Sequence, residues 1–288
     1  MSPRFTAACI QITAGREIGP NVERGIAMAR QAAQSGADFI ALPENATLIE
    51  PDLEAALAKG LPESEHPALP AFRELARETG TWILIGSLSI RDPGAAKLAN
   101  RSFLIDAAGN IAAQYDKIFL FDVNLREDEW YRESDRIRPG NEAVVAPSPW
   151  GLIGLTVCYD LRFPQLYRAL AHAGAGILTI PSAFTVTTGK AHWHVLMRAR
   201  AVETGCFVIA PAQTGEHAQG RKTYGHSLIV DPWGTVLAEA GDDEGVILAE
   251  IDMAEVARAR KRIPSLSHDR DFEGPAPATL DGLAADGG

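Results

Sequence analysis

Apolar and polar positions along the chain alternate between two periods, one suited to strands and one to helices. Phe5 to Ile12 is mostly apolar and predicts a strand, and Asn21 to Ser35 carries a helical pattern that Asn21 can cap and Gly36 can end. Asp38 to Leu42 predicts a short buried strand, Pro67 to Thr79 a helix closed by Gly80, and Trp82 to Ile90 an apolar strand. That order is βαβαβ. Arg101 to Asp106 and Ile111 to Asp116 then flank Ala107-Ala108-Gly109-Asn110, a link short enough for an antiparallel hairpin, so the predicted sheet is mixed.

A polar stretch from Asn124 to Asn141 reads as a loop. Beyond it, Leu152 to Val157 predicts a buried strand, Pro164 to Ala173 a helix, Ile177 to Ile180 a strand, and Ala191 to Thr204 a helix with Trp193, Leu196, Met197 and Ala201 on one face. Phe207 to Ala212 and Ser227 to Val230 read as strands. Asp231 to Gly234 reads as a turn, Val236 to Ala240 and Val246 to Ile251 as closing strands, and a last helix starts with Asp252 and Glu255 at capping-box spacing. No Pro/Gly/Ser linker divides the series and no internal repeat is visible, which predicts one α/β domain over 1–273. The stretch 274–288, made of Ala, Pro, Gly and Asp with little to bury, predicts a loose tail.

Composition narrows the function classes. The 288 residues are 46% hydrophobic, enough to fill a sizeable core, and the formal charge of -10 offers no basic field for a phosphate backbone, so nucleic acid is not an expected partner. Met1 to Ile12 lacks the form of a secretory signal and no window approaches about 18 apolar residues, which predicts a soluble cytoplasmic protein with no membrane association. Cys9, Cys158 and Cys206 are odd in number and far apart, against a disulfide framework or a CxxC site. GxxxxGK[ST], GxSxG and HExxH patterns are absent, which removes the best support for ATP, serine-hydrolase and zinc-protease readings. His192 and His194 are two apart on a predicted helix and do not share a face, so no metal is expected.

Three residues remain as candidates for chemistry. Cys158 follows a buried strand and precedes a helix that Pro164 helps to start, so its sulfur falls at a strand-to-helix turn where free N–H groups favour a thiolate or an oxyanion. Glu44 ends the strand of Phe39 to Leu42, and Lys117 closes that of Ile111 to Asp116. Each has a plain structural reading: a small buried thiol, a solvated loop carboxylate, a lysine snorkelling from a strand end. What favours chemistry is that all three sit at strand ends, where α/β folds gather their ligands. Cys9 and Cys206, inside apolar strands, read as core.

Taken together, Leu42-Pro43-Glu44-Asn45, Tyr115-Asp116-Lys117-Ile118 and Cys158-Tyr159-Asp160-Leu161-Arg162-Phe163-Pro164 resemble the Glu, Lys and Cys signatures of the nitrilase superfamily, in that family's order. The resemblance continues through Pro181-Ser182-Ala183-Phe184 and Tyr224-Gly225-His226-Ser227 to about Pro264, and is nearest to the branch that hydrolyses deaminated glutathione, with the ω-amidases next. It implies a four-layer αββα sandwich with mixed sheets, no cofactor, a small-molecule amide substrate, and a homodimer or larger homo-oligomer paired through helices that include the one after Cys158. It implies Cys158 as nucleophile, Glu44 as proton shuttle, Lys117 as stabilising cation and Glu133 as a second glutamate near the lysine; alone, Glu133 reads as a solvated loop charge. The backbone N–H of Tyr159 is then an oxyanion donor. An α-ketoglutaryl acyl group needs cationic recognition, for which Arg162 is the candidate, with a structural ion pair as its other reading. Relatives often carry His two residues after the lysine, where this chain has Phe119. N-carbamoyl amino acid hydrolysis, acyl transfer to an amine, and a binding protein that has lost its chemistry are the alternatives.

Overall fold

Strands that are apolar at every position must be covered on both faces, and this requirement organises the chain. The computed structural model describes residues 3–127 and 129–274. The first half runs β1 (Arg4–Gln11), α1 (Ile18–Gln34), β2 (Phe39–Ala41), α2 (Leu53–Lys59), α3 (Ala68–Thr79), β3 (Trp82–Ile90), β4 (Leu98–Ile105) and β5 (Ile111–Asp116). Next come β6 (Asp122–Arg126), β7 (Glu129–Arg132) and β8 (Ile137–Arg138). The second half runs β9 (Val144–Ser148), β10 (Gly151–Leu155), α4 (Pro164–His172), β11 (Ala175–Thr179), α5 (Val186–Thr204) and β12 (Phe207–Ala210). It ends with β13 (Thr214–Glu216), β14 (Lys222–Tyr224), β15 (Leu228–Val230), β16 (Val236–Glu239), β17 (Gly245–Asp252) and α6 (Ala254–Arg262).

Two mixed sheets result, in the orders β17-β1-β2-β3-β4-β5, with β8 beside β4, and β16-β15-β12-β11-β10-β9. The period of two sorts their residues. From β1, Phe5, Ala7 and Cys9 face the seam between the sheets, while Ala8 and Ile10 face a second core that holds Val22 and Ala29 of α1 and Phe72 and Leu75 of α3. On the far side, Leu166 and Tyr167 of α4 and Trp193 and Met197 of α5 pack on the second sheet. Helices, sheet, sheet, helices: this is the expected four-layer αββα sandwich. Among the described residues no helix is long and apolar enough to cross a membrane.

Several local expectations are corrected. The stretch 124–141 is not one loop: β6 and β7 form an antiparallel hairpin whose residues alternate between half-buried and exposed, so the polar composition concealed the pairing. α1 starts at Ile18, because Pro20 is tolerated in a first turn. Asn21 is therefore no cap; its buried amide ties Gly15 and Thr47 together, donating to their carbonyls at 2.9 and 2.8 Å. α2 was not anticipated, since only Ala56 of its residues is buried and no apolar stripe marks it. α5 begins at Val186 with Thr185 as its cap, ahead of the expected Ala191. At α6 there is no capping box: Asp252 accepts from Ala254 N–H, and Glu255 pairs with Arg258. The expected tail, apart from Gly274, lies outside the described residues.

One glycine positions the site. A Cβ on Gly86 would stand 2.1 Å from the Leu42 carbonyl oxygen, 2.4 Å from that of Pro43 and 2.5 Å from Cβ of Pro181. Gly86 thus lets the segment carrying Glu44 and the one leading to Ala183 cross β3 at van der Waals range.

Candidate active site

The turn that presents Cys158 is an extension of the second sheet bent sharply into a helix. Thr156 N–H donates to the Thr179 carbonyl at 3.2 Å and Cys158 N–H to that of Pro181 at 3.0 Å, which continues the β10 to β11 pairing beyond the strand itself. Cys158 then takes φ = 51°, a left-handed value that costs a non-glycine residue roughly 1 to 2 kcal/mol. A single 3-10 turn, Cys158–Arg162, leads into α4 at Pro164. Asp160 holds this bend: its buried carboxylate accepts from Val157 N–H at 2.8 Å, Phe119 N–H at 3.0 Å and the Tyr115 hydroxyl at 2.7 Å. It therefore ties the cysteine turn to the segment just after Lys117, and burial pushes its carboxyl up to about 6 against those three donors.

Glu44 lies three residues beyond β2 and is 3% exposed. Its Oε1 accepts from Lys117 Nζ at 2.8 Å and Asn100 Nδ2 at 3.0 Å, and its Oε2 accepts from Ala183 N–H at 2.9 Å. Lys117, 2% exposed, also donates to both oxygens of Glu133, at 3.0 and 2.8 Å. Glu133 in turn accepts from Phe121 N–H at 2.7 Å and Asn100 Nδ2 at 3.1 Å. The ammonium is held between two carboxylates, each satisfied by further donors, as a buried cation requires.

Charge sets the proton inventory. Burial pushes the Cys158 thiol up and the Glu44 charge pushes it further, more than Lys117 lowers it, so it ends well above the usual thiol range. For Glu44 burial works upward too, but the charge and hydrogen bond of Lys117 outweigh it and hold the carboxyl below its ordinary range. Burial disfavours the Lys117 ammonium, yet Glu133 and Glu44 together raise it well above the ordinary lysine value. The resting site is thiol, carboxylate and ammonium, an arrangement in which a carboxylate can accept a thiol proton.

Glu44, Lys117, Glu133, Cys158 and Tyr159 all line one cavity of ≈ 530 Å³, walled by Phe121, Trp130, Tyr131 and Phe184. The structure thus brings four of the expected side chains together, and Tyr159 is the second residue of the turn, where N–H groups lack intrahelical partners. It does not bring Arg162. That guanidinium lies outside the lining, at 3.1 Å from His192 Nδ1 and 6.0 Å from the ring centroids of Tyr159 and Phe184. Its position one turn of backbone past the cysteine turns it toward α5. Asn100 and Asp160 were not expected; an amide in a strand and an acid two after the cysteine carry no signal of their own. Phe119 stacks on Phe163 at 3.6 Å between centroids, so an aromatic contact occupies the place of a polar ring.

Away from the cavity, His194, His226 and Glu239 each offer a ligand atom within 4.8 Å of the others. His194 meets a histidine from another element rather than His192, and both rings bond to Glu239 Oε1 at 2.9 Å.

The carbon–nitrogen hydrolase family profile matches residues 6–261. A deaminated glutathione amidase of Yersinia enterocolitica is 37% identical over 278 residues, covering 95% of this chain and 96% of that one. The human deaminated glutathione amidase is 41% identical, over 92% of this chain and 82% of its own. The crystal structure of the Caenorhabditis elegans NitFhit protein superposes with a TM-score of 0.87 at 36% identity, over 93% of this chain and 66% of that one. Saccharomyces cerevisiae Nit3, described as a member of branch 10 of the nitrilase superfamily, gives 0.83 at 27% identity, over 92% and 96%.

Proposed function

The chain belongs to the carbon–nitrogen hydrolase family, and from that premise we propose that it is an amidase for deaminated glutathione, releasing α-ketoglutarate and cysteinylglycine through a thioester on Cys158. The observation that carries this reading is one shared carboxylate: Glu44 bonds to Lys117 from β5's end and to Ala183 from the second sheet, in the cavity that Cys158 lines.

In the first half-reaction Glu44 takes the Cys158 proton as the sulfur attacks the amide carbon. The carbonyl π pair moves to oxygen, and Lys117 and the Tyr159 N–H stabilise that oxyanion. As the pair returns, the C–N bond breaks and the leaving nitrogen takes the proton from Glu44. Glu44 then deprotonates a water that attacks the thioester, and its proton returns to the sulfur as the acid leaves. The lysine is needed because thiolate and carboxylate repel; the cation offsets that repulsion. Glu133 keeps Lys117 charged and aimed.

The homodimer belongs to the same proposal. Val195 and Val202 of α5 are 62% and 52% exposed, apolar surface on the helix layer beside α4. Sedimentation at micromolar concentration reads it directly.

The test compares turnover of deaminated glutathione, α-ketoglutaramate and N-carbamoyl amino acids, with Cys158→Ala as blank. The expected result is highest kcat/KM for deaminated glutathione and none in the blank; equal indifference to all three, or undiminished turnover by the blank, overturns the assignment. Product with hydroxylamine exceeding free acid would instead identify acyl transfer.

A further inference from the structure

Three guanidinium groups line the cavity with Cys158, and none has a carboxylate within ion-pairing distance among the described residues; Arg132 is already bonded to the Val123 and Tyr131 carbonyls and to Asn124 Oδ1, which leaves Arg136 and Arg221. Arg221 sits at the end of the turn between β13 and β14. Gln219 and Gly220, immediately before it, take φ values of 57° and 76°, and His217 N–H closes the turn on the Arg221 carbonyl at 2.7 Å. A left-handed glutamine is strained, and such strain persists where the surroundings impose it. Here the turn brings Arg221 into the cavity lining. Its Nε is buried without a hydrogen-bond partner among the described residues, and its Cζ stands 5.9 Å from the Tyr131 ring centroid. Arg136 follows the turn that begins at Glu133 and donates from Nη1 to the Glu50 carbonyl at 2.7 Å.

Both arginines also border a small recess shared with Asn45, Asn100, Glu133 and Glu50, the last already paired with Arg16 and Lys59, at the inner end of the cavity. Trp130, 61% exposed, stands at its outer rim. Glu44, Glu129, Glu133 and Asp135 put four carboxylates on the lining against the charges of Lys117 and Arg132, so without further cations the cavity repels an anionic substrate. Arg136 and Arg221 cancel that excess and place the positive charge at one side of the cavity. A guanidinium out of water and without a counter-ion is unfavourable, and its planar fork matches a carboxylate.

The geometry points to a carboxylate-binding subsite in which Arg221 and Arg136 hold the free carboxylate of the substrate's acyl half, the half that stays on Cys158. This rests on the amidase reading above and names its substrate class as amides of dicarboxylic acids. The acyl half takes the inner end because the amine half departs through the rim while the thioester remains.

The experiment measures kcat and KM for deaminated glutathione, and the affinity of α-ketoglutarate for the full-length Cys158→Ala chain by calorimetry, with native arginines and with Arg221→Met, Arg221→Lys or Arg136→Met. KM and the α-ketoglutarate dissociation constant are expected to rise about 10- to 100-fold in the Met variants, with kcat moving less than KM. Arg221→Lys is expected to recover part of the loss, and inhibition by cysteinylglycine to stay unchanged. Circular dichroism of each variant separates lost binding from lost folding. Unchanged KM and unchanged α-ketoglutarate affinity in folded Arg221→Met overturn the subsite, as does a KM increase in Arg162→Met with none in Arg221→Met. Arginine-dependent α-ketoglutarate binding by a chain that leaves deaminated glutathione intact upholds the subsite and sinks the substrate assignment; hydrolysis indifferent to both arginines does the reverse.

Discussion

Lys117 is the residue whose environment differs most from what a strand-end lysine leads one to expect. It is enclosed between Glu44 and Glu133, so its removal strands two buried carboxylates and, in the proposed mechanism, an oxyanion. Lys117→Met is expected to lower kcat by about 10² to 10³ and to destabilise the fold by roughly 3 kcal/mol at neutral pH. Without the cation, burial raises the Glu44 carboxyl above its unfolded value, so part of the lost stability returns as pH falls. Urea unfolding at two pH values reads this: a loss that grows on acidification contradicts it. Asp160 acts one step back from the reacting atoms, accepting two backbone N–H groups that orient the Cys158 turn. Asp160→Asn sets an NH₂ against one of those donors; about 1 to 3 kcal/mol of stability and at least a tenfold drop in kcat are expected, with Cys158 still modifiable by iodoacetamide in the folded protein.

Among the elements, α3 carries a built-in response to acid. His66, 2% exposed, accepts from Ala68 N–H through Nδ1 at the start of that helix. Burial lowers its pKa from 6.5 to about 4, a gap worth roughly 3 to 4 kcal/mol. A depressed histidine leaves stability untouched above 6.5. Below that the unfolded chain binds the proton first, so the stability falls as pH drops from about 6.5 toward 4. His66→Gln should flatten this limb in denaturant titrations across the window; an unaltered slope would show that another group sets it.

At the scale of the whole molecule the two sheets are joined at one end by Trp150. From the second sheet it stacks on Phe5 at 4.3 Å and meets Phe39 and Trp82 edge-on at 6.2 and 6.0 Å. Trp150→Ala is expected to lower unfolding free energy by about 2 to 3 kcal/mol, because the ring is only partly buried. Since it belongs to no part of the cavity, kcat should remain within about twofold; a large fall in kcat would mean that the seam itself sets the catalytic geometry.

Much of this architecture was readable in one dimension because its periods are local. β1, β2 and β3 and the helices α1 and α3 follow from apolar spacing, and the segments around Glu44, Lys117 and Cys158 mark their own strand ends. What failed had no local signature. The β6–β7 hairpin and α2 bury too little apolar surface to impose a period, and Glu133 and Asp160 read as ordinary acids until the elements around them close. Arg162 and Arg221 make the same point from opposite sides: proximity to the cysteine in sequence put the first forward, while a strained turn sixty-three residues on carries the second into the cavity. Residue type and periodicity specify which groups exist and which strands end near one another. Direction, burial and partner for each charge depend on distant backbone, and so only the folded chain decides them.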